Sequence, residues 1–194
     1  MQSYFFALLS RLRWIKRWGL MRNAHQENVM EHSWEVAVIA HALAVIKNTH
    51  FDGQVDANAI AVEALYHDVT EVMTGDLPTP IKYYSEGIKT SYKEIEKKAE
   101  SELIKMLPDS LTNVYGHILQ EQKHPESHRE IIKAADKLSA YLKCQSELKA
   151  GNEEFTEAAE QLKIALQQME LPEVDYFIDK FVAGYGMSLD KLMR

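Results

Sequence analysis

Residues 32–46, HSWEVAVIAHALAVI, constrain the fold more than any other stretch. At about 100° per residue, Val36, Ile39 and Leu43 fall within about 40° of His32 on a helical wheel. A helix with such an apolar stripe gains its stability by burying that stripe against other elements. The segment therefore predicts a packed helix that carries a histidine inward, while His41 falls on the opposite, solvent-facing side. The remaining sequence agrees with an all-α fold. Strand-like alternation is absent, and only eight glycines and five prolines interrupt 194 residues. Helices are expected at about 2–17, 29–48, 57–73, 88–106, 111–122, 127–149, 153–168 and 173–182. Asp76-Leu77-Pro78-Thr79-Pro80 cannot continue a helix, because each proline lacks an N–H donor. Lys149-Ala150-Gly151-Asn152 reads as a helix stop, with glycine near the C′ position.

Several classes of protein are disfavoured by composition. The net charge of −7 argues against a binder of nucleic-acid polymers. No run of 18 or more apolar residues predicts a membrane span. The N-terminal apolar stretch Tyr4–Leu9 is short and is followed, not preceded, by basic residues, the wrong polarity for a secretory signal. A single cysteine, Cys144, allows no intramolecular disulfide and fits a reducing, cytoplasmic compartment. With 46% hydrophobic residues, the chain is expected to form one domain over 1–194. The charge is uneven, since Arg11, Arg13, Lys16, Arg17 and Arg22 cluster around Trp14 and Trp18. Such a segment is either a solvated helix face or a place where an arginine meets an anion.

The chemistry is concentrated in EALYHDVTEV, residues 63–72. On a helix over 57–73, Ile60, Ala64, His67 and Glu71 lie within about 60° of one another, with Asp68 about 100° from His67. Asp136 lies about 40° from Ile132, at the edge of a stripe with Ala135 and Ser139. His32, His67, Asp68 and Asp136 thus point inward from three helices. Each alone has an ordinary reading, as a core histidine or a capping aspartate. Together they suit a first-row divalent ion, whose charge balances two buried aspartates. Two imidazoles and two carboxylates leave coordination positions open, as catalytic sites do. Such sites form readily between facing helices of a bundle.

The pattern H32…H67-D68…D136 resembles the HD-domain phosphohydrolase superfamily. The strings RW at 17–18, NVMEHSWEVAVIAHALA at 28–44, ALYHDVTEVMTGDLPTP at 64–80 and KAADKLSAYLKC at 133–144 are similar to the bacterial HD-domain 5′-deoxynucleotidases. The resemblance implies an HD-domain helical bundle with a metal site between core helices. It implies hydrolysis of deoxyribonucleoside 5′-monophosphates to deoxynucleoside and phosphate. The metal ligands would be His32, His67, Asp68 and Asp136, holding one divalent transition metal ion, cobalt, manganese or similar. Glu71 and Asp76 would be catalytic, orienting water or moving protons. Arg17, Trp18, Asp76, Leu77 and Thr79 would bind substrate, with the Trp18 indole excluding a 2′-hydroxyl. Relatives of this kind are homodimers.

Two alternatives stay open at this level. One is another HD reaction, on cyclic nucleotides or alarmones, in which His117, His124 or His128 supplies a second metal. HPESH at 124–128 reads as a surface loop, against that option. The other is a non-catalytic binding module that keeps a metal for stability.

Overall fold

The computed structural model describes residues 2–194. The helices begin with α1 (Phe5–Leu9), α2 (Val29–His50), α3 (Ala57–Leu65), α4 (Glu71–Thr74), α5 (Thr79–Lys82) and α6 (Glu86–Lys105). They continue with α7 (Asp109–Leu119), α8 (Glu126–Lys149), α9 (Thr156–Gln167), α10 (Pro172–Phe177), α11 (Ala183–Tyr185) and α12 (Leu189–Leu192). Among the described residues no strand forms, and the one antiparallel bridge joins Lys16 to Asn28. The fold is all-α, as expected. Its contacts fall into two compact units.

The first unit comprises the chain up to Arg22 with Gln26–Trp34 and Leu65–His124. Phe5, Val69, Leu103, Leu107 and Leu119 form its core. Phe5 and Tyr66 each meet the Tyr115 ring edge-on, at centroid distances of 5.5 and 6.2 Å. Two expected helices are corrected here. The N-terminal one, expected to reach residue 17, ends in a 3-10 turn at Ser10–Trp14. Ile15 is extended, and residues 15–17 pair with 27–29: Arg17 N–H donates to Glu27 O at 3.1 Å and Val29 N–H to Ile15 O at 3.0 Å. That long-range pairing supplies backbone bonds that a longer helix would have kept local. The helix expected over 57–73 stops at Leu65. Tyr66–Thr70 are hydrogen-bonded turns, closed by Val69 N–H to Tyr66 O and Glu71 N–H to Asp68 O. The His67-Asp68 doublet is therefore in a turn between α3 and α4, not in mid-helix.

Helix α2 starts on a reciprocal cap. Glu31 N–H donates to Asn28 Oδ1, and Asn28 N–H donates to Glu31 Oε2, both at 3.0 Å. The cap fixes where the helix begins and hence which way His32 points. By length and composition α2 could cross a membrane, a property the sequence reading did not credit to it. More than half of its most apolar window is nonetheless buried inside the fold, as in a core helix.

The second unit comprises Asn23–His25, Glu35–Ala64 and Pro125–Arg194. Its core takes Val36, Ile39, Ala40 and Leu43 from α2, Ile60 and Ala64 from α3, and Ile131, Ala135, Leu138 and Leu142 from α8. The apolar stripe read from residues 32–46 is thus buried, but His41 is half-buried, not solvent-facing. His124 and His128 are a further correction. Both are buried, although His117 is exposed. His124 Nε2 lies 2.9 and 3.0 Å from the carbonyls of His117 and Ile118, at the end of α7. His128 Nδ1 lies 2.9 Å from Glu63 Oε2. Both rings are engaged by protein acceptors.

A buried ion pair anchors residues 23–25 in this unit. Glu147, fully buried, accepts from the N–H groups of Ala24 and His25 at 2.7 and 2.9 Å and from Asn152 Nδ2 at 2.7 Å. Lys143 donates to both Glu147 and the carbonyl of His25. Burial opposes the charge on Glu147, but these donors, led by Lys143, hold its carboxyl down to about 2, against an ordinary 4.5. A depressed value means stability that is present above pH 4.5 and lost as pH falls toward 2. Glu147→Gln leaves Lys143 buried without its counter-charge. The variant should lose about 3–5 kcal/mol of stability in urea denaturation at pH 7. It should also lack the wild-type decline between pH 4.5 and 2; an identical acid profile would contradict this.

Candidate metal centre

The centre is built in the first unit, from the start of α2 and the turn before α4. His32 is fully buried one turn into α2, with its N–H bonded to Asn28 O at 3.1 Å. The turn at Tyr66–Thr70 presents His67 and Asp68 to it. Asp68 Oδ2 lies 3.6 Å from His32 Nε2 and 3.1 Å from His67 Nε2, and the two imidazole centroids are 5.3 Å apart. One ligand atom from each of the three residues lies within 4.8 Å of the others. Among the described residues this is the one such group of three or more. Two imidazole nitrogens and a carboxylate oxygen converging at that spacing fit a divalent transition metal ion, and neutral imidazoles with an ionised aspartate are what such an ion binds.

Electrostatics separate the nearby carboxyls. Burial acts against a charge on Asp68, but His67, His32 and Arg17 outweigh it and hold this carboxyl far below the usual range. The Arg17 contact is Nη1 to Oδ2 at 3.5 Å. Glu71, the first residue of α4, is buried, and its Oε2 has no hydrogen-bond partner. Burial, with the charges of Asp68 and Asp76, pushes its carboxyl up to about 10. A site with one carboxyl held ionised and a neighbour held neutral has the acid–base asymmetry that hydrolytic sites use.

The loop after α4 is turned by Gly75, whose φ of 72° and ψ of 166° lie in a region essentially reserved for glycine. Asp76 follows it, half-buried, and accepts a hydrogen bond from the backbone N–H of Trp18. Burial raises the Asp76 carboxyl, with Arg17 opposing and Asp68 adding to the rise. Arg17, Trp18, Glu71 and Asp76 are thus linked to the His32–His67–Asp68 cluster within one unit.

A family model described as 5′-deoxynucleotidase YfbR-like matches residues 4–185. The chain belongs to the YfbR-like 5′-deoxynucleotidase family. Similar curated members include a 5′-deoxynucleotidase of Pectobacterium atrosepticum, 53% identical over all of this chain and 97% of its own length. Another, from Erwinia tasmaniensis, is 51% identical over 99% of this chain and 97% of its own. Among solved structures, an HD-domain phosphohydrolase from Listeria innocua superposes with a TM-score of 0.81 at 25% identity, covering 97% of this chain and 94% of that one. A cyanophage S-2L HD phosphohydrolase, DatZ, solved with dA and one catalytic Zn2+ ion, shares the fold with a TM-score of 0.69 at 20% identity, over 95% of this chain and 98% of that one. The YfbR-like fold is therefore an HD-domain helical bundle, and its His/Asp cluster has the ligand types and spacing that can hold a metal ion.

Other candidate residues are distributed as follows. Leu77 is half-buried in the loop, and Thr79 opens α5 with an exposed side chain. Asp136 is half-buried on α8 in the second unit, directly after buried Ala134 and Ala135. Two neighbours of the site escaped the sequence reading. Glu27 Oε2 accepts from Arg17 Nε at 3.2 Å and from Trp18 Nε1 at 3.0 Å. Lys82 on α5 pairs with Glu96 at 2.9 Å and lies over the Tyr92 ring at 4.8 Å, close enough to act on Glu71. The Asn28-x-x-Glu31 capping box, visible in the sequence, marks the start of α2 and leaves Glu27 just outside it. It does not reveal what Glu27 touches.

Proposed function

We infer that this protein is a metal-dependent phosphomonoesterase that hydrolyses deoxyribonucleoside 5′-monophosphates to deoxynucleoside and phosphate. The observation that carries this is the convergence of His32, His67 and Asp68 beside the buried carboxyl of Glu71, in a YfbR-like chain. We propose that His32, His67, Asp68 and Asp136 hold one divalent ion, with Asp136 added on the H…HD…D pattern. Cobalt or manganese is proposed as the resident ion. Once bound, such an ion acts as a Lewis acid toward a phosphate oxygen and lowers the pKa of water.

The remaining roles belong to side chains of the chain itself. Arg17 presents N–H donors matched to phosphate geometry beside Asp68. Glu71, buried beside the ligand cluster, is suited to orient the attacking water and, in its ionised form, to accept that water's proton. Asp76, whose carboxyl burial also raises, sits on the loop that would hold the sugar, where it would protonate the 5′ leaving oxygen or hydrogen-bond the deoxyribose. Leu77, on the same loop, and Thr79, at the start of α5, would add further substrate contacts. Trp18 would fill the space of a 2′-hydroxyl, so that a ribonucleotide is excluded by volume and its hydroxyl is left unsatisfied.

Hydrolysis of cyclic nucleotides or alarmones is disfavoured by the full-length likeness to named 5′-deoxynucleotidases. A second metal supplied by His124 or His128 loses support because, among the described residues, neither joins a group of three or more ligating side chains. A purely structural metal module gives no reason to bury Glu71 without a partner for Oε2. We further propose that the family match from 4 to 185 reflects one HD domain containing both compact units. The cytoplasm is the proposed location, supported by the single buried Cys144. A homodimer is proposed on the resemblance and on exposed apolar residues such as Trp14 and Leu189; equilibrium sedimentation at the mass of one chain would exclude it.

Phosphate release from dNMPs, NMPs and cyclic nucleotides, with cobalt, manganese or zinc added, tests the reading. Turnover is expected to be far faster for dNMPs than for NMPs and absent for cyclic nucleotides. Trp18→Ala should keep dNMP turnover and raise NMP turnover at least ~10-fold, since a polar group's pocket discrimination is worth a few kcal/mol. Unchanged dNMP/NMP selectivity would remove Trp18 from the account.

A further inference from the structure

Neighbouring side chains on an extended chain point to opposite faces. Arg17 and Trp18 nevertheless reach the same atom, Glu27 Oε2, at 3.2 and 3.0 Å. Two features make this possible. The antiparallel pairing of residues 15–17 with 27–29 sets Glu27 against Arg17, as the Arg17 N–H to Glu27 O bond records. Side chains paired in this way lie close enough to interact. Trp18 then leaves extended geometry with a φ of 57°, a left-handed conformation that is a rare and costly choice for a bulky side chain. Such strain persists only where surrounding contacts fix it. Two contacts do so here: the Trp18 backbone N–H to Asp76 and the indole N–H to Glu27.

Glu27 is itself mostly buried, with 13% of its side chain exposed, and it carries no contact that α2 needs for its cap. Its second donor is the Nε edge of Arg17, while Nη1 of the same guanidinium lies 3.5 Å from Asp68. One carboxylate oxygen therefore sets the rotamer of both the residue proposed to test the sugar and the residue proposed to meet the phosphate.

We propose that Glu27 is a positioning residue for sugar discrimination: by holding the Trp18 indole N–H and the Arg17 Nε on one oxygen, it fixes the indole where a 2′-hydroxyl would sit. The inference rests on the functional reading above. Glu27 touches no substrate; it acts through Trp18, with Arg17 as the fixed partner. The consequence is that selectivity for deoxy over ribo substrates depends on a residue outside the pocket.

The experiment compares kcat/KM for dAMP and AMP in wild type, Glu27→Ala, Glu27→Asp, Glu27→Gln and Trp18→Phe. The deoxy/ribo ratio should fall at least ~10-fold in Glu27→Ala. It should fall similarly in Glu27→Asp, whose shorter side chain draws back from both donors while staying charged. Glu27→Gln keeps an acceptor for the indole N–H and should retain most of the ratio. Trp18→Phe has no N–H to hold, so adding Glu27→Ala to it should change the ratio little further, a non-additivity expected of coupled residues. Calorimetric binding of 2′-deoxyadenosine and adenosine to the metal-free protein supplies a readout independent of turnover, and their affinity ratio should shift in the same direction. A purely structural Glu27 would lower activity on dAMP and AMP alike and leave both ratios intact, which overturns the proposal. If Glu27→Ala fails to fold, Glu27→Asp and Glu27→Gln decide it alone: an equal ratio in the two refutes it. A wild-type ratio near one defeats the functional reading itself, whereas a selective wild type with unchanged Glu27 variants defeats only this inference.

Discussion

Asp68→Ala is expected to abolish metal content and turnover together. Asp68 Oδ2 is the atom on which the site converges, with His32, His67 and Arg17 within 3.6 Å of it. Without it, two imidazoles face a guanidinium, and nothing in that set offsets a +2 charge. Loss of a partner outside the ligand set typically costs 10–100-fold in affinity or activity. Loss of a ligand should exceed this, with turnover falling at least ~10³-fold, roughly 4 kcal/mol of barrier. Metal per chain, measured by plasma mass spectrometry after dialysis, should fall from about one to below ~0.1 at any practical metal concentration. Asp68 is only half-buried and in a turn, so circular dichroism should show the helices intact. A fully active variant without metal would refute the centre. Asp136→Ala in parallel tests the proposed fourth ligand: unchanged metal content there would remove Asp136 while leaving the other three in place.

Legibility followed the range of the interactions. His32 was readable because its position is set within one helix, by an apolar stripe. The residue types of the doublet were readable too, but not its geometry. ALYHDVTEV contains no glycine or proline to mark the break at Tyr66–Thr70. The turn is bound up with packing, since Val69 enters the core beside Leu103 and Leu119. The wheel that placed His67 and Glu71 on one face thus lost its premise, although both side chains do turn inward. Arg17 looked helical because the pairing that unwinds residues 15–17 lies ten residues away. His124 and His128 looked like loop residues because their partners, the carbonyls ending α7 and Glu63 on α3, follow from tertiary packing. Glu27 had no motif at all; its role exists only once Trp18 adopts a positive φ.

Glu71→Gln should separate function from stability in opposite directions. A group that moves protons at a reaction centre contributes typically 10²–10⁴-fold, and turnover should fall by that range while metal content stays near wild type. The same substitution should stabilise the metal-free protein. Glu71 is 9% exposed, its Oε2 has no partner, and burial with Asp68 and Asp76 pushes its carboxyl up to about 10. A raised value has the opposite sign to that of Glu147. The fold is unpenalised below pH 4.5, the ordinary value of the unfolded chain, and loses stability as pH rises from there toward 10. Glutamine has nearly the same shape and cannot ionise, so this loss disappears. Urea denaturation in chelator should therefore show wild-type stability declining between pH 5 and 9, a flatter Glu71→Gln curve, and a gap of at least ~1 kcal/mol at pH 8. Equal turnover in the variant would remove Glu71 from proton transfer; lower stability at pH 8 would show that the carboxyl is not a burden to the fold. If both expectations hold, the residue is kept at a cost in stability, which is what selection for chemistry over packing produces at an active site.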